Sequence, residues 1–151
     1  MYCEIAFRGV QFRNMIIDET QIGVWIKRAQ EEEVELYRSL YSFDEEILRH
    51  MAVNKTVRKF RGKLALHKIL LDIDKGTDSD AFVYGKARGA VDQALAFGIP
   101  KESIRINFSG RGYHITFPDV WHFGYGLEPR TVARTILAAF PGSDDIYTNS
   151  T

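Results

Sequence analysis

The sequence predicts an α+β fold with the element order strand, helix, strand, strand, helix, strand, preceded by a small N-terminal α/β unit. Two observations carry this prediction. An apolar run at residues 69–74 alternates with two carboxylates and precedes a roughly helical apolar stripe that stops at Gly98-Ile99-Pro100. Two alternating segments, 103–108 and 113–118, flank a Ser-Gly-Arg-Gly turn, which is typical of a tight hairpin.

Helix signals complete the order. Ser79 or Asp80 is suited to cap a helix that runs to about residue 97. Pro129 lies near the first turn of a second helix, which extends through residue 140. Residues 144–148 then have the pattern of the start of a last strand. From Leu64 onward, this order is the split βαβ, ferredoxin-like pattern that RNA-recognition modules share.

The residues before this RRM-like module predict the small α/β unit. Residues 1–8 and 10–13 alternate mildly, 20–28 are ambiguous between helix and strand, and 36–43 have the pattern of a strand. A short helix is expected from residue 44 to 51, with Ser42 or Asp44 as its N-cap. We therefore divide one 151-residue domain into residues 1–60 and 61–151.

Composition limits the classes of protein. Hydrophobic residues make up 45% and charged residues 26%, as in ordinary globular domains. Twenty basic and twenty acidic residues cancel, so binding of nucleic acid would need a local patch. The single Cys3 excludes internal disulfides and Cys-based zinc sites. Without a signal peptide or an apolar run of roughly 18 residues, we expect a soluble, cytoplasmic protein with no membrane partner.

A basic segment from Lys55 to Lys68 provides such a patch. It contains six Lys and Arg residues and no acid, and it follows an acid-rich segment. A charge run in isolation is most simply a solvated face. Its position directly before the carboxylate run favours a surface that faces phosphates. The predicted nucleic-acid-binding residues are Arg58, Lys59, Arg61 and Lys63.

The two carboxylates of the apolar run are Asp72 and Asp74. Side chains alternate between the faces of a strand, so these two point the same way while Leu71 and Ile73 face the core. Neighbouring carboxylates repel each other unless a cation lies between them. Mg²⁺ or Mn²⁺ suits this arrangement, with substrate phosphates completing the coordination shell.

These stretches resemble the catalytic core of archaeo-eukaryotic-type primases and primase-polymerases, especially members from phages and plasmids. Leu71-Asp72-Ile73-Asp74 is similar to the Asp-x-Asp motif of that family. The segment from Ser109 to His114 is similar to the longer form of its Ser-x-His motif, and Asp144 or Asp145 would supply its later acid. The resemblance extends over roughly residues 36 to 147.

The resemblance implies a metal-dependent nucleotidyltransferase that makes or extends primers in DNA replication, in a bacterial or archaeal host. Its implied partners are nucleoside triphosphates, a single-stranded DNA template, and a helicase or further primase domain. It implies that Asp72, Asp74 and the later acid bind Mg²⁺ or Mn²⁺ and that His114 contacts the phosphates.

Residue chemistry adds further candidates. Arg111 and Lys75 are suited to hold phosphates, and Ser109 lies at the same turn as Arg111. Phe60 and Tyr113 are aromatic residues that can stack on bases.

The chain also departs from the family. The basic residues that follow the third motif in the family have no counterpart before Thr151, so we expect an incomplete catalytic domain with weak synthesis. Two alternatives stay open. One is a nucleotide- or single-strand-binding module of the same fold without turnover. The other is a metal-dependent nuclease, which also uses paired carboxylates.

Overall fold

The chain divides into two compact units in a computed structural model that describes residues 1–124 and 126–147. Among the described residues, the first unit contains 1–65, 124 and 126–127, and the second contains 66–123 and 128–147. The boundary thus lies at Ala65 rather than at residue 60. The described ranges hold four α-helices and antiparallel sheets, which confirms the predicted α+β class. No helix in these ranges is long and apolar enough to cross a bilayer.

The first unit is built on a five-stranded antiparallel sheet. Its strands are β1 (Tyr2–Phe7), β2 (Met15–Asp18), β3 (Leu36–Arg38), β4 (Ser42–Phe43) and β5 (Leu64–Ala65). They follow the order β2-β1-β4-β5, and β3 also pairs with β1. Two helices, α1 (Ile22–Glu31) and α2 (Glu46–Asn54), complete the unit. Cys3, Ile5 and Ile17 are buried in its core, with Ile22, Trp25 and Leu36 packed against them.

Several local predictions for this unit need correction. Residues 10–12 form a 3-10 turn instead of a strand, and the ambiguous segment 20–28 is mostly helical. The strand predicted at 36–43 is interrupted, because the Ser39 hydroxyl accepts from the amide of Glu4 and donates to the carbonyl of Tyr41. The helix predicted over residues 44–51 spans Glu46–Asn54, and its N-cap position is Glu45 instead of Ser42 or Asp44, although the Asp44 carboxylate accepts from the amide of Glu46 at 3.1 Å.

The second unit contains β6 (Lys68–Ile73), α3 (Asp80–Ala96), β7 (Arg105–Phe108), β8 (Tyr113–Pro118) and α4 (Pro129–Ala139). Its sheet is antiparallel with the order β6-β8-β7. The predicted caps are confirmed. The Ser79 hydroxyl accepts from the amide of Phe82 at 3.3 Å, and Pro129 is the first residue of α4. The hairpin between β7 and β8 is confirmed as well.

The core of the second unit lies on one face of its sheet. Alternate residues of β6 and β8 are buried, and residues of α3 and α4 are buried with them; they are Ile69, Leu71, Ile73, Ile115, Phe117, Val83, Ala87, Val132 and Ile136. Because strand residues alternate, Asp72 falls on the other face, whereas Asp74 follows the last residue of β6, so a strand face shared by the two stays a prediction. Asp72 is partly exposed and Asp74 is exposed.

The predicted strand at the C-terminal end does not form over residues 144–147, so that prediction is wrong for the described part of the segment. The segment nevertheless follows β6. The Asp144 amide donates to the carbonyl of Asp72 at 2.7 Å, and the Tyr147 hydroxyl bonds both the amide (2.9 Å) and the carbonyl (2.7 Å) of Leu70.

The cause of the missing strand is local. The Tyr147 amide donates to its neighbour Asp145 at 3.1 Å, so it is not free for a ladder bond. Residue 148, which the prediction included, lies outside the described residues. The RRM-like arrangement stays a prediction, since only three of its four strands form in the described ranges.

Candidate carboxylate site at the end of strand β6

Asp72 and His114 lie opposite each other on neighbouring strands. The pairing of β6 with β8 sets Asp72 directly across from His114. Their side chains approach to 3.3 Å, measured from Oδ1 of Asp72 to Nε2 of His114. The His114 side chain is 43% exposed and that of Asp72 is 22% exposed. His114 is therefore outside the core, at the carboxylate that the sequence singled out.

Asp74 and Asp144 meet at the same end of β6. The Asp74 amide donates to Oδ2 of Asp144 at 3.1 Å, and the Asp144 amide donates to the carbonyl of Asp72 at 2.7 Å. The backbone of β6 thus fixes Asp144 beside both predicted metal ligands. Of the two candidates for the later acid, Asp144 lies at the site, whereas the carboxylate of Asp145 accepts from the amide of Tyr147.

The Asp72 carboxylate is in an unfavourable electrostatic position. Burial raises its pKa above the ordinary value, the negative charges of Asp74 and Asp144 raise it further, and only His114 opposes them. Oδ1 of Asp72 is buried and, apart from its close approach to His114, has no hydrogen-bond partner within the described residues. A buried carboxylate oxygen without a partner is costly, so this position favours a proton or a cation.

The Ser109–Gly112 turn closes against the same strand end. The Ser109 amide donates to the carbonyl of Gly112 at 2.9 Å, and the Gly112 amide donates to the Ser109 hydroxyl at 3.0 Å. A Cβ atom at Gly112 would lie 2.1 Å from the carbonyl oxygen of Ile73. Only a glycine therefore lets the hairpin approach β6 this closely. The Ser109 hydroxyl thus stabilises the turn by accepting a hydrogen bond within it.

The two predicted phosphate-binding cations differ in their surroundings. Arg111 is exposed at the hairpin turn and forms no ion pair within the described ranges. Lys75 follows the carboxylate strand, but its ammonium lies 2.5 Å from Oδ1 of Asp80 in the first turn of α3. Arg111 is thus available to an anion, and Lys75 would have to leave Asp80 to reach one.

The predicted nucleic-acid-binding residues belong to the first unit. Arg58, Lys59, Arg61 and Lys63 are all exposed. The backbone of Lys63 is fixed by Asp44, whose carboxylate accepts from the Lys63 amide at 3.0 Å. Lys59 adopts a left-handed conformation with φ of 62°.

The carboxylates do not form a preorganised cation site in the described part of the chain. Within residues 1–124 and 126–147, no group of three or more His, Cys, Asp or Glu side chains is arranged to hold a metal ion. The donor chemistry nevertheless suits a divalent cation, because carboxylate oxygens are the ligands of Mg²⁺ and Mn²⁺ and one of them has no hydrogen-bond partner. Binding would require Asp72, Asp74 and Asp144 to turn toward a common point.

Comparisons with protein-family models, with curated proteins and with solved structures found no match. One residue of the site has no local sequence signal. Tyr147 bonds Leu70 across 77 positions of the chain, and nothing in its neighbourhood marks it as an anchor.

Proposed function

We propose that the second unit is the catalytic core of a primase-type nucleotidyltransferase, which adds nucleotides to a strand on a single-stranded template in a metal-dependent reaction. One observation carries this proposal. Asp72, Asp74 and Asp144 gather at the end of β6 beside His114, although 70 positions separate Asp144 from Asp74. That gathering supports the three-part motif inferred from the sequence.

Each residue of the site has a role in this proposal that follows from its side-chain chemistry. Asp72, Asp74 and Asp144 would hold the divalent cation, which supplies neutralisation of the triphosphate charge. Arg111 offers a forked donor to the phosphates from the hairpin. His114, next to Asp72, orients that carboxylate and presents a ring nitrogen to the same surface. Phosphoryl transfer depends mainly on this positioning and charge compensation.

A second candidate is a nucleotide-binding module of the same fold without turnover. The observation that favours it is the absence of a ready three-ligand cation cage within the described residues. Such a module would retain the phosphate-binding groups of the hairpin but would bind metal too weakly for chemistry.

Incubation of the 151-residue chain with Mn²⁺, nucleotides and either primed or unprimed single-stranded DNA separates these functions. We expect extended products, and about a hundredfold less product from Asp72→Asn, since loss of one electrostatic group at a reaction centre has this effect. Asp92→Asn, on the exposed surface of α3, is the matched control and should extend normally. Nucleotide binding without product would indicate the binding module, and shortened strands would indicate a nuclease.

A further inference from the structure

A second candidate site lies within the first unit, away from the carboxylates in sequence. A shallow groove of about 380 Å³ runs between α2 and residues 60–62. Val53 and Phe60 give it an apolar wall, and Arg49 and Arg61 give it positive charge. Glu46 is the one acid that lines it.

The His50 side chain connects α2 to the loop that forms the other side of the groove. Its Nε2 lies 3.1 Å from the carbonyl oxygen of Arg58, and its Nδ1 lies 3.2 Å from the side-chain nitrogen of Asn54. Because a carbonyl only accepts, Nε2 is the donor and Nδ1 accepts from Asn54, which defines a neutral tautomer. The ring of His50 also packs edge-on against Phe60, with centroids 5.4 Å apart. The loop carrying Arg58 is thereby fixed to α2.

The apolar wall beside His50 is closely packed at Gly62 and Phe60, and it is exposed to solvent at Val53. A Cβ atom at Gly62 would lie 2.2 Å from the Phe60 ring, so the backbone of Gly62 rests directly against that ring. Val53 is 76% exposed in the groove, which leaves a large apolar side chain facing solvent. Lys55 and Lys59 adopt left-handed conformations that glycine would adopt more easily, with φ of 57° and 62°.

The cations of the groove have no internal partner. Neither Arg49 nor Arg61 forms an ion pair with any described residue, and Lys59 next to them forms none. A surface that combines uncompensated cations with an aromatic and aliphatic wall complements a strand of alternating phosphates and flat apolar rings. Duplex nucleic acid does not offer the rings, because its bases are stacked inside.

We propose that this groove binds an unpaired base of a single-stranded nucleic acid, with the base against Phe60 and Val53 and the flanking phosphates at Arg49 and Arg61. This inference rests on the proposed use of a single-stranded template and names where that template is gripped. It differs from a general basic surface because it requires a base as well as a phosphate backbone.

The first test compares two strands that carry the same charge. Binding of a fluorescent oligothymidylate to the full chain is measured in EDTA without nucleotides, beside a strand of equal length whose sugars lack bases. Stacking on one aromatic wall predicts about tenfold tighter binding of the strand that has bases. Equal affinity for the two strands would overturn the proposal, as would equally effective competition by an oligoglutamate peptide.

The second test places a carboxylate in the groove. Val53→Glu should weaken binding of oligothymidylate about tenfold and leave the melting temperature nearly unchanged, because Val53 is exposed. Val24→Glu is the matched control, since Val24 is 69% exposed on α1 of the same unit, and it should bind as the wild type does. Equal weakening by both variants would reject the groove.

The two tests read out strand binding alone. If Val53→Glu disturbs folding, the comparison of strands with the unaltered chain still decides the matter. Undiminished synthesis by Asp72→Asn, together with tighter binding of the strand that has bases, would count against the catalytic proposal only. Normal extension of a primer with equal binding of both strands would count against the groove only.

Discussion

Asp72 is a residue whose ionised form opposes folding. Burial and two neighbouring acids raise its pKa, so the folded state binds this proton more tightly than the unfolded chain does. Stability from such a group is fully present below the ordinary pKa of 3.8 and is lost as pH rises through the raised value. At neutral pH the ionised Asp72 therefore destabilises the protein.

We predict that Asp72→Asn melts at a higher temperature than the wild type at pH 7 and that the difference shrinks toward pH 4. Thermal melts at the two pH values measure it. Mn²⁺ should raise the melting temperature of the wild type and not of Asp72→Asn, because a ligand stabilises only the state that binds it. Asp92→Asn should follow the wild type throughout, since Asp92 lies on the exposed side of α3. An Asp72→Asn protein that is less stable at pH 7 would contradict this account.

Two glycines should respond in opposite directions to the same substitution. Gly112→Ala sets a methyl group 2.1 Å from the carbonyl oxygen of Ile73, which is backbone and cannot rotate away. We expect a loss of about 1–3 kcal/mol in the free energy of unfolding and a displaced hairpin. Gly85→Ala, in the interior of α3 with open space around it, should gain up to about 1 kcal/mol.

Denaturant unfolding of the two glycine variants measures both values. A neutral Gly112→Ala variant would show that the hairpin does not lie against β6. In that case His114 would lose part of the framework that sets it beside Asp72.

Among the elements, the segment after α4 is held by side chains instead of by a strand ladder. The Tyr147 hydroxyl occupies both the donor and the acceptor of Leu70, and this contact keeps Asp144 at the end of β6. Tyr147 is almost fully buried, so water is not available to replace these bonds. The Tyr147 hydroxyl therefore supports the same segment that the backbone bonds of Asp144 with Asp72 and Asp74 hold.

We predict that Tyr147→Phe lowers the free energy of unfolding by about 1–3 kcal/mol, since two buried backbone groups lose their partner. Hydrogen exchange at the amides of Leu70 and Asp74 should accelerate with it, because Asp74 donates to the carboxylate that Tyr147 holds in place. Tyr84→Phe, at an exposed position of α3, is the control and should change neither. Unaltered exchange at Asp74 would disconnect the tyrosine from the site.

The second unit shows which features local sequence patterns predict and which features depend on distant contacts. The hairpin, the Ser79 cap of α3, the position of Pro129 at the start of α4 and the solvent-facing side of Asp72 follow from local rules of alternation and turn chemistry, and all of them are present. The strand at 144–147 fails because the carboxylate of Asp145 competes for the Tyr147 amide. The choice of Asp144 over Asp145 depends on contacts with β6, about 70 positions away, which no local pattern records.

At the scale of the whole molecule, a net charge of zero makes the distribution of charge decisive. The exposed cations Arg58, Lys59 and Arg61 lie in one short segment of the first unit. If they contact phosphates, their binding releases counterions and the affinity falls steeply with salt.

We predict that neutralising Arg58, Lys59 and Arg61 together flattens the salt dependence of single-strand binding by a slope of about 2, at roughly 0.7 per phosphate contact on a single strand. Titrations between low and physiological salt measure the slope. Neutralising Arg88, Lys101 and Arg130, which are exposed in the second unit, is the control of equal charge. A slope that drops equally in both variants would assign the effect to net charge alone.

The division into two units has a practical consequence through the core of the first one. Cys3 is the only cysteine of the sequence, it is fully buried on β1, and burial raises the pKa of its thiol. A thiol reagent can therefore label the chain only when the first unit opens. The rate of labelling therefore measures that opening, while the fluorescence of Trp121, in a variant whose Trp25 is replaced by Phe, follows the second unit. Slower labelling of Cys3 in the presence of a single strand or a nucleotide assigns that ligand to the first unit. A slower change in the fluorescence of Trp121 assigns it to the second unit.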